Sequence, residues 1–389
     1  MVARGYRPAV LLAIVWLGLN LRTVIASLPP LLPDIRADLE LSATVAGLLT
    51  TLPVLCFGLL APPARRLAHR LPLEAILVGC ALVTAVAAAL RGIGTVAALF
   101  VGSILAGASV AMGQTALPVL IRIAFHRAVG TMMGSYSMAL PIGATLGAGL
   151  AVPLQQALGG SWQASLALWA IPAALAAALW LRPALRLRTV ITGPEPERLR
   201  GRPLAWSVAL YFGVQSAAFY ATLAWLPEIL DSDGWSARAG GALLALASLV
   251  SAVPALLLPV VAGRRASQAP LVAAVTTTAS AGVLGLILAP GLAPLWVVLI
   301  GLGQGGSLGL GLVLPVLRAT SPGLVASLTA MTLSIGYLTA ATGPWLIGAV
   351  HDLTSGWTAA LGALLGLTLL QLVPGLAAAR PRHVGYPHT

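Results

Sequence analysis

Twelve runs of mostly apolar residues, each long enough to cross a bilayer, divide this chain, and no other feature limits its fold as strongly. They lie at 8–30, 43–62, 72–90, 94–121, 129–154 and 162–182, and then at 204–230, 238–261, 270–289, 292–317, 323–350 and 356–379. A helix rises about 1.5 Å per residue, so about 20 residues span the roughly 30 Å hydrocarbon core. The expected fold class is an all-α polytopic membrane protein with twelve transmembrane helices.

Composition agrees, with 59% of residues hydrophobic and only 8% charged, far from the make-up of a soluble domain. A formal charge of +12 would suit a nucleic-acid binder if it formed one solvated patch, but here it is scattered between apolar runs. No lysine occurs, so a P-loop and Schiff-base chemistry are excluded. Cys56 and Cys80 both fall inside apolar runs and read as buried thiols rather than a disulfide or a metal site. Arg4 and Arg7 precede a first run longer than a signal-peptide core, so that run is expected to stay as an anchor.

Short cytoplasmic loops retain positive charge. If alternate loops are cytoplasmic, starting with the N-terminus, 18 of the 22 basic residues fall inside, only Arg36, Arg91 and Arg238 fall outside, and Arg22 lies within a span. Asp34, Asp38, Glu40, Glu228, Asp231, Asp233 and Asp352 all fall outside. Both termini are therefore expected in the cytoplasm, as is the arginine-rich stretch from Arg182 to Pro203.

The halves repeat. Leu32-Pro33-Asp34-Ile35 returns as Leu226-Pro227-Glu228-Ile229, Arg65-Arg66 as Arg264-Arg265, and Leu117-Pro118-Val119-Leu120 as Leu314-Pro315-Val316-Leu317, at spacings of 194, 199 and 197 residues. The predicted organisation is a six-helix bundle over 1–182, a cytoplasmic linker over 183–203, and a second six-helix bundle with a short tail over 204–389. A site between such halves, near the midplane, is the physical expectation.

Arg22 stands out among the polar residues inside spans. A guanidinium at that depth costs roughly 2.5–3.5 kcal/mol on insertion scales and cannot shed its proton, so it should face protein, water or an anion. Gly18, Arg22 and Ala26 follow at i, i+4 and i+8, which places the arginine on a stripe of small residues, read as the wall of a cavity. Asn20 lies beside it. In the seventh span Tyr211, Gln215, Ala218 and Thr222 share a stripe, with Ser216 and Tyr220 next to it; Gln114 shares a face with Ser103 and Gly107, and Gln304 with Ser307 and Gly311. Tyr136 and Tyr337 are weaker candidates, since membrane tyrosines are often only packed. Gly301, Gly305 and Gly309, and the pairs Gly130/Gly134 and Gly143/Gly147, read as seams of close helix packing. The run Gly301-Leu302-Gly303-Gln304-Gly305-Gly306 is not a dinucleotide fingerprint, because no strand precedes it.

Asn20-Leu21-Arg22 with Pro29-Pro30-Leu31-Leu32-Pro33, Leu48-Leu49-Thr50-Thr51-Leu52-Pro53-Val54 and Gly58-Leu59-Leu60-Ala61-Pro62 resembles the cyanate permease and nitroimidazole transporter branch of the major facilitator superfamily. The resemblance covers nearly the whole chain. It implies two pseudo-repeated six-helix bundles, a cavity lined by spans one, four, seven and ten, and alternating access. The superfamily usually places an aspartate in the basic cluster after the second span, where this chain has Pro62, so gating roles do not carry over to that loop. The resemblance also implies a contrast: phosphate-ester carriers add an arginine in the seventh span, where the repeat sets Ser216 opposite Arg22. Nitrate porters carry theirs in the second and eighth spans, where this chain has none.

A lone arginine matches a lone negative charge. The expected function is transport of a small monoanion, with Arg22 as counter-ion and Asn20, Gln114, Tyr136, Gln215, Tyr220, Gln304 and Ser307 as the substrate-binding set. Cyanate is the resemblance's suggestion. Export of nitroimidazole-like aromatics is the alternative, and a transporter-like sensor a remote one. No acid lies deep in a span: Glu74 begins the third, so a coupling proton would ride at Asp34 or Glu228. The five histidines fall in loops or the tail, and no nucleophile–base pair or ligand cluster points to an enzyme, a metal or a cofactor. The expected partners are the anionic substrate and the lipid bilayer, with no nucleic acid, and the expected setting is a bacterial cytoplasmic membrane, as a monomer.

Overall fold

The computed structural model describes residues 7–41, 43–191 and 199–384, and everything below concerns these. Twelve of its helical segments are long and apolar enough to cross a membrane. The first is α1 (Arg7–Ala26) continued, after a 3-10 turn at Pro29–Leu31, by α2 (Leu32–Asp38). Pro29 and Pro30 have no N–H to give, which is why the helix breaks there. Single helices α3 (Ala43–Arg70), α4 (Leu73–Arg91), α5 (Val96–Ala124) and α6 (Val129–Ala157) follow. The sixth span is α7 (Trp162–Leu168) with α8 (Ala170–Arg186). In the second half α9 (Pro203–Ser232), α10 (Ala237–Ala262), α11 (Ala269–Leu288) and α12 (Ala293–Arg318) are continuous. The eleventh span is α13 (Pro322–Ala340) with α14 (Thr342–Thr354), and the twelfth is α15 (Trp357–Leu370) with α16 (Leu372–Ala378). Hydroxyl N-caps start several of them: Thr95, Ser161, Ser236 and Ser321 each accept from the backbone N–H three residues on, satisfying a donor that has no partner in the first turn.

The chain forms two compact units. One holds α1 to α5, α7, α8 and the part of α6 from Ala139 onward; the other holds α9 to α16 and the part of α6 up to Met138. The repeat seen in the sequence is present in the packing. In the first unit α5 packs against α3 and α4, and α4 against α8; in the second α12 packs against α10 and α11, and α11 against α15. Fourth and tenth spans thus hold equivalent places, each against the two spans before it.

The glycine seams are backbone contacts. A Cβ on Gly147 would lie 2.6 Å from the Thr23 carbonyl, and one on Gly143 would run into the Leu19 carbonyl, so α6 lies directly on α1. Gly301 and Gly309 stand the same way toward Ala247 and Ala255 of α10, and Gly130 toward Pro259. Without a hydrophobic drive between helices in lipid, such close approach supplies much of the packing.

Five arginines sit differently from the sequence reading, and Glu74, at the start of the third span as expected, is buried. Arg65, Arg66 and Arg70, expected in a loop after 62, ride on the last turns of α3, which runs through Pro62 and Pro63 to Arg70. Cations suit a helix C-terminus. Arg91, counted with the outer loops, is instead the buried last residue of α4. Glu74 is fully buried in the first turn of α4. Its Oε2 accepts the Thr189 backbone N–H at 2.7 Å and its Oε1 the Thr189 hydroxyl, while the Leu73 N–H donates to the Thr189 carbonyl at 2.8 Å. The segment after α8 is thereby strapped to the start of α4. In the second unit Arg318 is likewise buried, its Nε donating to the Ala378 carbonyl at 2.7 Å and a terminal nitrogen to the Ala379 carbonyl at 3.0 Å.

Candidate functional site

In the first unit α1 carries the charge. Arg22 is half-buried, and its guanidinium carbon stands 5.7 Å from the centroid of the Phe57 ring on α3, a cation–π distance. Nothing in the sequence marked Phe57, because an aromatic in an apolar run carries no signal of which neighbour it faces. Asn20 is buried and turns back on its own helix, its Nδ2 donating to the Trp16 carbonyl at 2.8 Å. Gln114 is buried on α5. Its stripe-mates serve packing: the Ser103 hydroxyl accepts from Arg91 at 3.0 Å, and Gly107 lies against Pro53 and Cys56 of α3. Asp34 is exposed in the first turn of α2, accepting from Gln155 Nε2 at 2.8 Å.

The second unit gathers the amides more tightly. Gln304 Nε2 on α12 donates to the Thr222 hydroxyl on α9 at 2.8 Å, so the tenth and seventh spans are tied where their polar stripes meet. Ser248 and Ser251 of α10, with Phe219, complete a crevice around this pair that has about 10 Å³ of room for the centre of a water molecule, enough for one water. Neither serine was singled out in the sequence, since serines whose hydroxyls return to their own helix carbonyls, as these do, look like ordinary membrane-helix residues. Gln215 is buried and donates to its neighbour Ser216 at 2.7 Å. Ser307 is buried beside the Tyr211 hydroxyl. Tyr220 is half-buried, its ring edge-on to Phe219 at 5.4 Å. Tyr136 is fully buried in the part of α6 that belongs to this unit, and Glu228 is exposed near the end of α9.

Twelve spanning helices, two units with matching helix pairings, and buried amides with one arginine on the polar stripes of the first, fourth, seventh and tenth spans define a membrane transporter of duplicated helical halves. The chain belongs to the Major Facilitator Superfamily, whose family model matches residues 11–344. It is 36% identical to the 2-nitroimidazole transporter of Escherichia coli K12 over 98% of both chains. It is 32% identical to the cyanate transport protein CynX of the same organism, over 93% of this chain and 96% of that one. Among solved structures it is similar in fold to the superfamily transporter FucP in its outward conformation, with a TM-score of 0.71 at 17% identity, covering 94% of this chain and 98% of FucP.

Proposed function

We propose that the protein carries a small monoanion across a bacterial cytoplasmic membrane by alternating access, with Arg22 as counter-ion. The observation that carries this reading is a permanently charged, half-buried side chain on the first span of a transporter. The insertion cost of roughly 2.5–3.5 kcal/mol is offset only if something of opposite charge or strong dipole meets it. The likeness to CynX supports a linear or otherwise small anion. Asn20, Gln114, Gln215, Gln304 and Ser307 are the proposed hydrogen-bond partners, and Tyr136 and Tyr220 the proposed flanking rings.

A second reading has its own support. The guanidinium of Arg22 can polarise a nitro group as well as pair with an anion, and the 2-nitroimidazole transporter is a full-length relative. Cyanate and 2-nitroimidazole are therefore the two probes to compare.

Moving a monoanion inward against an inside-negative potential costs about 2.3 kcal/mol per 100 mV. Asp34 and Glu228 lie exposed at helix ends, where a carboxylate is solvated rather than poised for coupling. We therefore assign facilitated transport or exchange. In sealed proteoliposomes, cyanate counterflow should proceed without a proton gradient. Accumulation driven by an imposed proton gradient alone, lost in Asp34→Asn or Glu228→Gln while counterflow persists, would overturn this assignment and make those carboxylates the coupling sites.

The arginine distribution supports a cytoplasmic setting for both termini and the linker, which we propose as the orientation. In a background lacking Cys56 and Cys80, single cysteines in the linker should stay unlabelled by an impermeant maleimide added to intact cells and label once the membrane is opened. Labelling from outside reverses the orientation.

A further inference from the structure

Arg91 is 1% exposed at the end of α4, with no carboxylate among its hydrogen-bond or ion-pair partners in the described residues. A charge that deep needs a physical reason. One terminal nitrogen donates to the Val24 carbonyl of α1 and the other to the Ser103 hydroxyl of α5 at 3.0 Å. Helix α1 stops at Ala26, ahead of Pro29 and Pro30, so Val24 is among the last four carbonyls, which have no partner within the helix. Besides Arg91, among the described residues it receives a long bond from the Ser27 hydroxyl, at 3.4 Å. No basic residue of α1 itself lies in its last turn. Arg91 supplies that missing cation from another span, set against the negative end of the helix dipole.

The surroundings are built for it. A Cβ on Gly102 would come within 2.8 Å of Arg91 Cγ and 2.8 Å of the Ala87 carbonyl, so a glycine on α5 makes the space in which the arginine stem lies. Spans one, three and four are thus held at one point, two residues along α1 from Arg22.

We infer that Arg91 is a positioning residue for the anion site: by capping the C-terminal end of α1 it fixes the turn that presents Arg22. This rests on the reading of Arg22 as the anion's counter-ion. Without the cap the last turn of α1 frays, and the forked donors of Arg22 lose their fixed direction. A lysine at 91 still caps a carbonyl and keeps the charge; a glutamine keeps a donor but loses the charge.

Hydrogen exchange and cyanate titration on the same purified full-length variants test this. In Arg91→Gln, exchange over residues 23–31 should quicken roughly tenfold relative to the rest of the chain, and the cyanate Kd should rise by a similar factor. Arg91→Lys should restore most of both. Should Arg91→Gln not accumulate, Ser103→Ala, which removes one of the two partners, should shift both quantities in the same direction by about threefold. Unchanged exchange over 23–31 overturns the inference. So does quickened exchange with an unchanged cyanate Kd in a protein whose Arg22→Gln variant has lost cyanate binding, a result that leaves the anion reading standing. If Arg22→Gln itself still binds cyanate, the anion reading has failed, and the functional half of this inference with it.

Discussion

Arg22→Gln should raise the Kd for a transported monoanion at least about 30-fold while leaving the protein as stable as before, or more so. An ion pair with a partly desolvated guanidinium is worth about 2–5 kcal/mol when one partner is removed, and 1.4 kcal/mol is tenfold in affinity. Stability moves the other way, because a neutral amide in the first span avoids the insertion cost of the charge. That opposite movement separates a ligand-binding arginine from a structural one, whose loss would lower the melting temperature. Arg22→Lys keeps the charge without the forked donors and should fall between, about tenfold weaker than the native protein. The check is isothermal titration with cyanate together with thermal unfolding in the same detergent. Binding left intact in Arg22→Gln would end the anion-site assignment.

The second large effect is structural and sits in the second unit. Gly305→Val should prevent accumulation of folded protein, and Gly301→Val should come close to doing so. A Cβ on Gly301 would lie 2.5 Å from the Ala247 carbonyl and 3.0 Å from its Cα, and one on Gly305 would collide with the Ser251 carbonyl. These neighbours are backbone, so no side chain can swing away, and α12 must separate from α10 along the seam. Overpacking of this sort costs typically 1–3 kcal/mol and more when backbones must part. The controls are Gly362→Ala and Gly366→Ala on α15, where nothing lies within 4 Å of the added carbon; these should be neutral or stabilising by up to about 1 kcal/mol. Size-exclusion profiles of the detergent-solubilised proteins read the difference. Well-behaved Gly305→Val protein would mean that the seam is not a close backbone contact.

Much of the fold was legible before any coordinates. Hydrophobic length alone located the twelve spans, because a bilayer sets one scale for every crossing helix, although the first and second run on to Asp38 and Arg70, well past the expected ends at 30 and 62. Repeated segments such as Leu117-Pro118-Val119-Leu120 and Leu314-Pro315-Val316-Leu317 announced the duplication that the helix pairings of α5 and α12 show. Helix ends were harder. Pro62-Pro63 followed by arginines reads as a loop, yet α3 continues through them to Arg70, since spanning helices tolerate prolines where other groups satisfy the freed carbonyls, and the cations that follow favour a C-terminus.

The site was legible only as a set of residue types. Arg22, Gln114, Gln215 and Gln304 could be found because a polar side chain in an apolar run is conspicuous. Their partners could not. Thr222 for Gln304, Phe57 for Arg22, and Val24 with Ser103 for Arg91 lie on other helices, and spacing along one helix does not say which way its stripe turns toward a neighbour.

Charge shows the division most sharply. The sequence by itself determined that this is a twelve-span membrane protein of two related halves with an arginine committed to the first span, because burial in lipid acts on each segment separately and leaves its mark in composition. It treated Arg91 and Arg318 as loop charges, since a basic residue at the edge of an apolar run looks solvated. Only the tertiary structure decided that both are buried caps, one on the carbonyl of Val24 and the other on those of Ala378 and Ala379. The physical reason is that an unpaired carbonyl at a helix end becomes a partner for a guanidinium only when another span brings the two together.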